Sequence, residues 1–122
     1  MKLRLLFASL LTLGLPGNGA FADISGGPVY AGDQTYVRCM VYNAGPGTAT
    51  ITGNFITTGG EPIVLDADSC GATLAPGKLC VIAGLVGDTA HACRIRGSGG
   101  VLRGTIAVYV DGNLVRHSAD LR

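Results

Sequence analysis

Charge, carboxylates and histidines are all scarce in this sequence. Only 14% of its 122 residues are charged, Glu61 is the one glutamate, and His91 and His117 are the two histidines. Nine Lys and Arg face eight Asp and Glu, a formal net charge of +1. A near-neutral chain exerts no net pull on nucleic acid and little repulsion on its own copies. So few acids leave little material for the paired carboxylates of sugar hydrolysis. No G-x-S-x-G elbow occurs, and Ser69, Ser98 and Ser118 fall in turn-like or terminal segments, so no nucleophile–His–acid set takes shape. His91 and His117 read as polar strand-end residues. Beyond residue 22 no stretch approaches the roughly 20 apolar residues of a membrane-spanning helix.

What is present starts with an export pattern. Lys2 and Arg4 precede an apolar run, Leu5 to Leu15, which Pro16, Gly17 and Gly19 interrupt before Ala20-Phe21-Ala22. Basic residues, a short apolar core and an A-x-A site predict a cleaved secretory signal over 1–22. No cysteine follows the apolar run as a lipid acceptor. The expected mature chain, 23–122, retains seven basic and eight acidic residues, net −1. It is long enough for one domain and too short for two. The expected location is periplasmic or extracellular.

All four cysteines, Cys39, Cys70, Cys80 and Cys93, lie in that exported part. An even number outside the cytosol favours disulfides, with three possible pairings. The segments between them alternate with period two and are cut by Gly, Pro, Asn and Asp, the pattern of strands and turns. In "TYVRCMVY" (35–42) Val37, Cys39 and Val41 share one face, and Tyr36, Arg38, Met40 and Tyr42 the other. "TATITGNFITT" (48–58) sets Ala49, Ile51 and Phe55 on one face, with Gly53 marking a bulge or a close backbone approach. "EPIVLD" reads as a short strand, at an edge or with Pro62 at its start, because Pro62 cannot donate to a ladder. "KLCVIAGLV", "HACRIRG" and "VLRGTIAVYV" follow. "DGN" (111–113) is a hairpin turn that lets "LVRHS" pair back. Cys93 and Ile95 point inward, as do Leu102, Ile106, Val108 and Val110. Seven or eight short strands predict an all-β antiparallel sandwich, with a small barrel as the alternative.

"SCGATLAPGKLC" (69–80) needs its own test. Its glycines and lysine suggest a phosphate loop, but Gly71 and Gly77 are separated by five residues where a P-loop has four. Leu79 stands where Ser or Thr would hold magnesium, and a strand follows where a helix is needed. Zinc would want tight cysteine pairs; Cys70 and Cys80 are ten apart, and His91 with Cys93 supplies only two ligands. Asp66 and Asp68 offer two oxygens where calcium takes six to eight. No cofactor or metal is therefore expected. "APG" is a turn, with Pro76 preset and Gly77 supplying φ > 0. Such a turn lets Cys70 meet Cys80, which leaves Cys39 and Cys93 to bridge two sheets.

"YNAGPGTATI" and "CGATLAPGKLC" together resemble bacterial immunoglobulin-like modules related to Hydin-type domains. Asn43-x-Gly45 matches their N-x-G turn, and Cys70, Gly71, Leu74, Pro76, Gly77 and Cys80 match C-G-x-x-L-x-P-G-x-x-C. The resemblance runs from about Tyr36 to Val110 and implies a β-sandwich and a non-catalytic module, without lending binding residues. This chain differs in standing alone and in carrying Cys39 and Cys93.

Arg38, Arg94, Arg96, Arg103 and Arg116 fall on outward positions with Tyr36, Tyr42 and Tyr109. If their strands are neighbours, they form a basic, aromatic docking face for an envelope protein or an acidic polysaccharide. The expected function is an exported binding or structural accessory module at the cell envelope. The alternative is a small secreted enzyme or inhibitor.

Overall fold

The computed structural model describes residues 23–32, 36–110 and 114–122. The expected export segment 1–22, the expected hairpin turn at 111–113 and the side chains of Val110, Arg116 and His117 lie outside them. Ten strands follow one another: β1 Ile24–Tyr30, β2 Tyr36–Asn43, β3 Ala49–Thr58, β4 Glu61–Pro62, β5 Ala67–Asp68, β6 Thr73–Leu74, β7 Leu79–Leu85, β8 Ala90–Ser98, β9 Leu102–Val110 and β10 Leu114–Leu121. No helix occurs among the described residues. Nine strands form one antiparallel sheet in the order β4-β3-β8-β1-β10-β9-β2-β7-β5, curled as a half-barrel, and β6 pairs separately with β3.

The alternation read from the sequence explains why the sheet curls around one core. Val37, Cys39 and Val41 of β2 are buried, as are Cys93 and Ile95 of β8 and Ile106 and Val108 of β9. These strands can hide one face each only by rolling it inward against the others. Two walls result, β4-β3-β8-β1 and β10-β9-β2-β7-β5, meeting at the β1/β10 seam. There Gly26 lies opposite Leu121, and a Cβ on Gly26 would come within 2.4 Å of the Asp120 carbonyl oxygen, so only glycine allows this approach.

Both disulfides join the pairs expected. Cys39–Cys93 crosses the interior between β2 and β8, on opposite walls, with Cα atoms 6.3 Å apart and a sequence separation of 54. Cys70–Cys80 closes the turn carrying Pro76 and Gly77, the latter at φ 70°.

Several local expectations are corrected. Alternation in the sequence places the first strand at Thr35. The structure adds β1, whose Gly26, Gly27 and Pro28 conceal the alternation. The ladder shifts register between Ile51 and Gly53, where the bulge was expected. One inserted residue inverts everything after it. Ile56 is therefore buried, and Phe55 pairs with Arg94 on the outer surface rather than joining Ile51. Only Glu61–Pro62 of "EPIVLD" is strand.

The whole 61–80 segment is a strap. It pairs with Thr57 and Thr58 of β3, then crosses to β7, where the Asp66 amide donates to Ala83 and Ala67 and Asp68 pair with Ala83 and Ile82. It returns to β3, where the Ile51 amide donates to Ala72 and β6 pairs with Ala49 and Thr50. It then crosses again to begin β7. Asn54 Nδ2 donates to Asp68 over the same opening, at 3.1 Å.

Deleting each disulfide separates its contribution. In the chain-entropy relation Cys39→Ala/Cys93→Ala is expected to cost about 4 kcal/mol and Cys70→Ala/Cys80→Ala about 3 kcal/mol. Urea unfolding of both variants checks the order. An equal or larger loss from the short loop would show that the bridges act otherwise than by loop closure.

Candidate functional site

Among the described residues two polar side chains are buried in the core, and both are engaged in structure. Asn43 ends β2. Its amide donates to Lys78 O and its carbonyl accepts from the Gly77 amide. Its Nδ2 donates to Gly47 O and Leu74 O, at 2.8 and 2.9 Å. Its Oδ1 accepts from the Gly45 and Val101 amides, at 3.0 and 3.1 Å. One side chain thus ties the end of β2, its turn, the strap and the start of β9 together. The N-x-G turn was legible in the sequence as a turn, but the two distant partners of its asparagine side chain, Leu74 and Val101, were not. His91, expected at a strand end, is buried on β8. Its Nδ1 lies 2.6 Å from Thr58 Oγ1, and its Nε2 lies 3.4 Å from Gly87 O. Among the described residues no three His, Cys, Asp or Glu side chains gather as a metal-binding group.

The arginines are divided between the walls. β2 and β8 are separated in the sheet by β1, β10 and β9, and their inward faces touch through Cys39–Cys93. Their outward faces therefore point apart. Arg94 and Arg96 lie on the β8 wall. Arg94 pairs with Asp23 at 3.2 Å, and Arg96 lies over the Phe55 ring at 5.5 Å. With Thr57, Gly60 and Pro62 they line a hollow of about 250 Å³. Arg38 and Arg103 lie on the β2 wall with Tyr36, Tyr42 and Tyr109. The expected face is thus split in two among the described residues, with Arg94 and Arg96 on one wall and Arg38, Arg103 and the three tyrosines on the other.

The β2 wall is the unusual surface. Its ladders set the outward side chains of β7, β2, β9 and β10 in four rows. The first is Leu85, Tyr36, Tyr109 and Val115. The second is Ala83, Arg38, Ala107 and Ser118. The third is Val81, Met40, Thr105 and Asp120. The fourth is Leu79, Tyr42 and Arg103. Ten of these fifteen positions are apolar or aromatic. Leu85 is 64% exposed, Leu79 60%, Val115 49% and Tyr42 43%. An outward sheet face bathed in water is ordinarily polar. The β3 and β8 surfaces opposite obey that rule, with Thr50, Thr52, Arg94 and Arg96 all exposed.

Arg38 organises the centre of this wall. Its guanidinium lies 4.5 Å from the Tyr109 ring centroid and 5.4 Å from that of Tyr36. Its strand neighbours are Ala83 and Ala107, small enough to leave room for the side chain. Those alanines and Tyr109 are buried although they face outward. An arginine that covers apolar surface with its stem and stacks its head on rings is held more rigidly than a free one. Beside it Met40, Tyr42, Leu79, Arg103, Asp120 and Arg122 border an open groove of about 780 Å³. The wall is thus apolar over most of its area, with fixed cations at its centre and end.

Elsewhere, Tyr30 on β1 has its hydroxyl pKa raised above 10.0, first through a hydrogen bond to Asp88 and then through the negative charge of that carboxylate. Neither residue belongs to the β2 wall.

The chain matches no family model, no curated protein and no solved structure.

Three substitutions test these assignments. Asn43→Ala leaves two amides and two carbonyls without their side-chain partner. It is expected to cost about 3 kcal/mol or more in urea unfolding; a loss below 1 kcal/mol would show that water replaces the amide. Arg38→Ala uncovers Tyr109, so acrylamide quenching of tyrosine fluorescence is expected to rise, unobscured because tryptophan is absent. Unchanged quenching would mean that Arg38 does not cover the ring. Asp88→Asn is expected to return Tyr30 toward its ordinary pKa in an ultraviolet titration, and an unmoved midpoint would rule out the carboxylate as cause.

Proposed function

We propose that this chain is an exported, non-catalytic binding or structural accessory module of the cell envelope, with the β10-β9-β2-β7 wall as its docking face. The observation that carries this reading is the apolar, aromatic outer surface of that wall beside a threonine- and arginine-bearing opposite wall. Interface cores are enriched in tyrosine, methionine and arginine in the way this surface is. Rigid presentation supports it as well: the wall is stapled from behind by Cys39–Cys93, and its central arginine is already stacked. Two disulfides suit an oxidising, exported location. Asn43 and His91, polar groups that a buried active site might use, are occupied in holding loops together.

We further propose that the curled sheet is a variant of the Ig-like sandwich of Hydin-type modules. Its two walls face one another across the core, and C-G-x-x-L-x-P-G-x-x-C forms the closing turn between Cys70 and Cys80.

An envelope protein is the partner that the apolar rows favour. An acidic polysaccharide is the second reading, favoured by Arg38, Arg103 and Arg122 on one wall. Site-specific photo-crosslinking in the exporting cell tests the docking face. A photoreactive residue at Leu79 or Tyr42 is expected to give adducts, and one at Thr50 on the opposite wall none. Equal adducts from Thr50, or none from any position, would overturn the assignment. For the second reading, binding to a polyuronate is expected to weaken at least tenfold in Arg38→Glu/Arg103→Glu and to hold in Arg94→Glu/Arg96→Glu. No binding by the parent chain, or loss only in the second pair, would remove it.

A further inference from the structure

We propose that the occupant of the β10-β9-β2-β7 wall is the same wall of a second copy, packed face to face in a weak two-fold dimer. The inference rests on the reading of that wall as a docking face and adds the partner.

The register of the wall carries the argument. A two-fold axis lying in the interface, perpendicular to the strands and midway between the Arg38 and Met40 rows, exchanges the first row with the fourth and the second with the third. Leu79 then meets Leu85 of the second copy, and Tyr42 meets Tyr36. Asp120 meets the Ser118 hydroxyl, and Arg38 meets Met40. Asp120 faces no second carboxylate, and it finds a hydrogen-bond donor. An isologous interface requires this self-complementarity, since every contact occurs twice. With the axis along the strands instead, Asp120 would be pressed onto Val81. The chosen axis also keeps the strands of the two copies aligned, as in packed sheets.

Two further features favour a second copy meeting this face. The strap covers the β3 and β7 edges, which leaves the wall rather than strand addition as the route to association. The near-neutral charge of the chain offers little repulsion between copies.

Size sets the strength. Four strands about 4.8 Å apart and four rows about 6.8 Å apart give about 500 Å² per copy. Standard interfaces bury about 800 Å² per partner. The dimer is therefore weak, with a dissociation constant on the order of 100 µM, and it closes on itself rather than forming filaments.

Analytical ultracentrifugation of the mature protein from about 10 µM to about 1 mM, spanning that constant, tests this. The mass is expected to rise from one chain toward two. Leu79→Asp is expected to remain monomeric, and Thr50→Asp on the opposite wall to behave as the parent. Circular dichroism of each variant confirms its fold. A second variant fixes the geometry. In Leu79→Cys/Leu85→Cys the two thiols lie about 20 Å apart along one strand and cannot bridge within a copy. Across the axis they face each other, so mild oxidation is expected to yield a covalent dimer. A monomer at 1 mM would overturn the proposal, as would a dimer untouched by Leu79→Asp. A monomer that still gives photo-crosslinked adducts from Leu79 would reject the second copy and leave the docking face standing.

Discussion

The backbone edges of a curled but unclosed sheet are the constraint on which this molecule depends. β3 and β7 would each end a wall with a row of unpaired amides and carbonyls, a template for any passing strand. One segment, 61–80, meets both. It lies on β3 at Glu61–Pro62 and Thr73–Leu74, and on β7 at Ala67–Asp68. Side chains complete what its backbone leaves open: Ser69 Oγ accepts from the Val81 amide, and Asp66 Oδ2 from the Leu85 amide. The stretch that resembles a phosphate loop is the last pass of this lacing, and Cys70–Cys80 holds it on β7.

Closing the curl in this way determines where function can reside. With the edges covered, what remains accessible is the outside of the walls. Cys39–Cys93 makes those two outsides face apart, so each has its own chemistry. The β8 wall carries threonines and two exposed arginines, one of them in a surface ion pair with Asp23 of the kind that contributes little. The β2 wall carries the rings and aliphatic side chains. Asn43 links the two levels of organisation. By fixing the end of β2 to the strap and to the start of β9, it sets the register from which the rows of the β2 wall follow.

Much of this was legible in the residues. Both disulfides, the buried faces of β2, β8 and β9, and the bulge at Gly53 follow from period-two alternation and from the spacing of Cys70 and Cys80 about a Pro-Gly turn. What escaped was non-local. Phe55 was assigned inward because alternation was carried through the bulge that inverts it. β1 was missed because Gly26-Gly27-Pro28 lacks the branched side chains that mark a strand, and its glycine is there for the close approach to Asp120. The arginines formed a single face only on the condition that their strands were neighbours. The sheet order separates β2 from β8, so that condition fails, and Arg38 with Arg103 parts from Arg94 with Arg96.

The central claim is that the two outer walls differ in kind, one docking and one solvated. Backbone and methyl NMR shifts followed through a concentration series report on both walls at once. The account expects the shifts that move to belong to Tyr36, Met40, Tyr42, Leu79 and Thr105, with Thr50, Arg94 and Arg96 unmoved. Shifts that move chiefly at Thr50, Arg94 and Arg96 would contradict it.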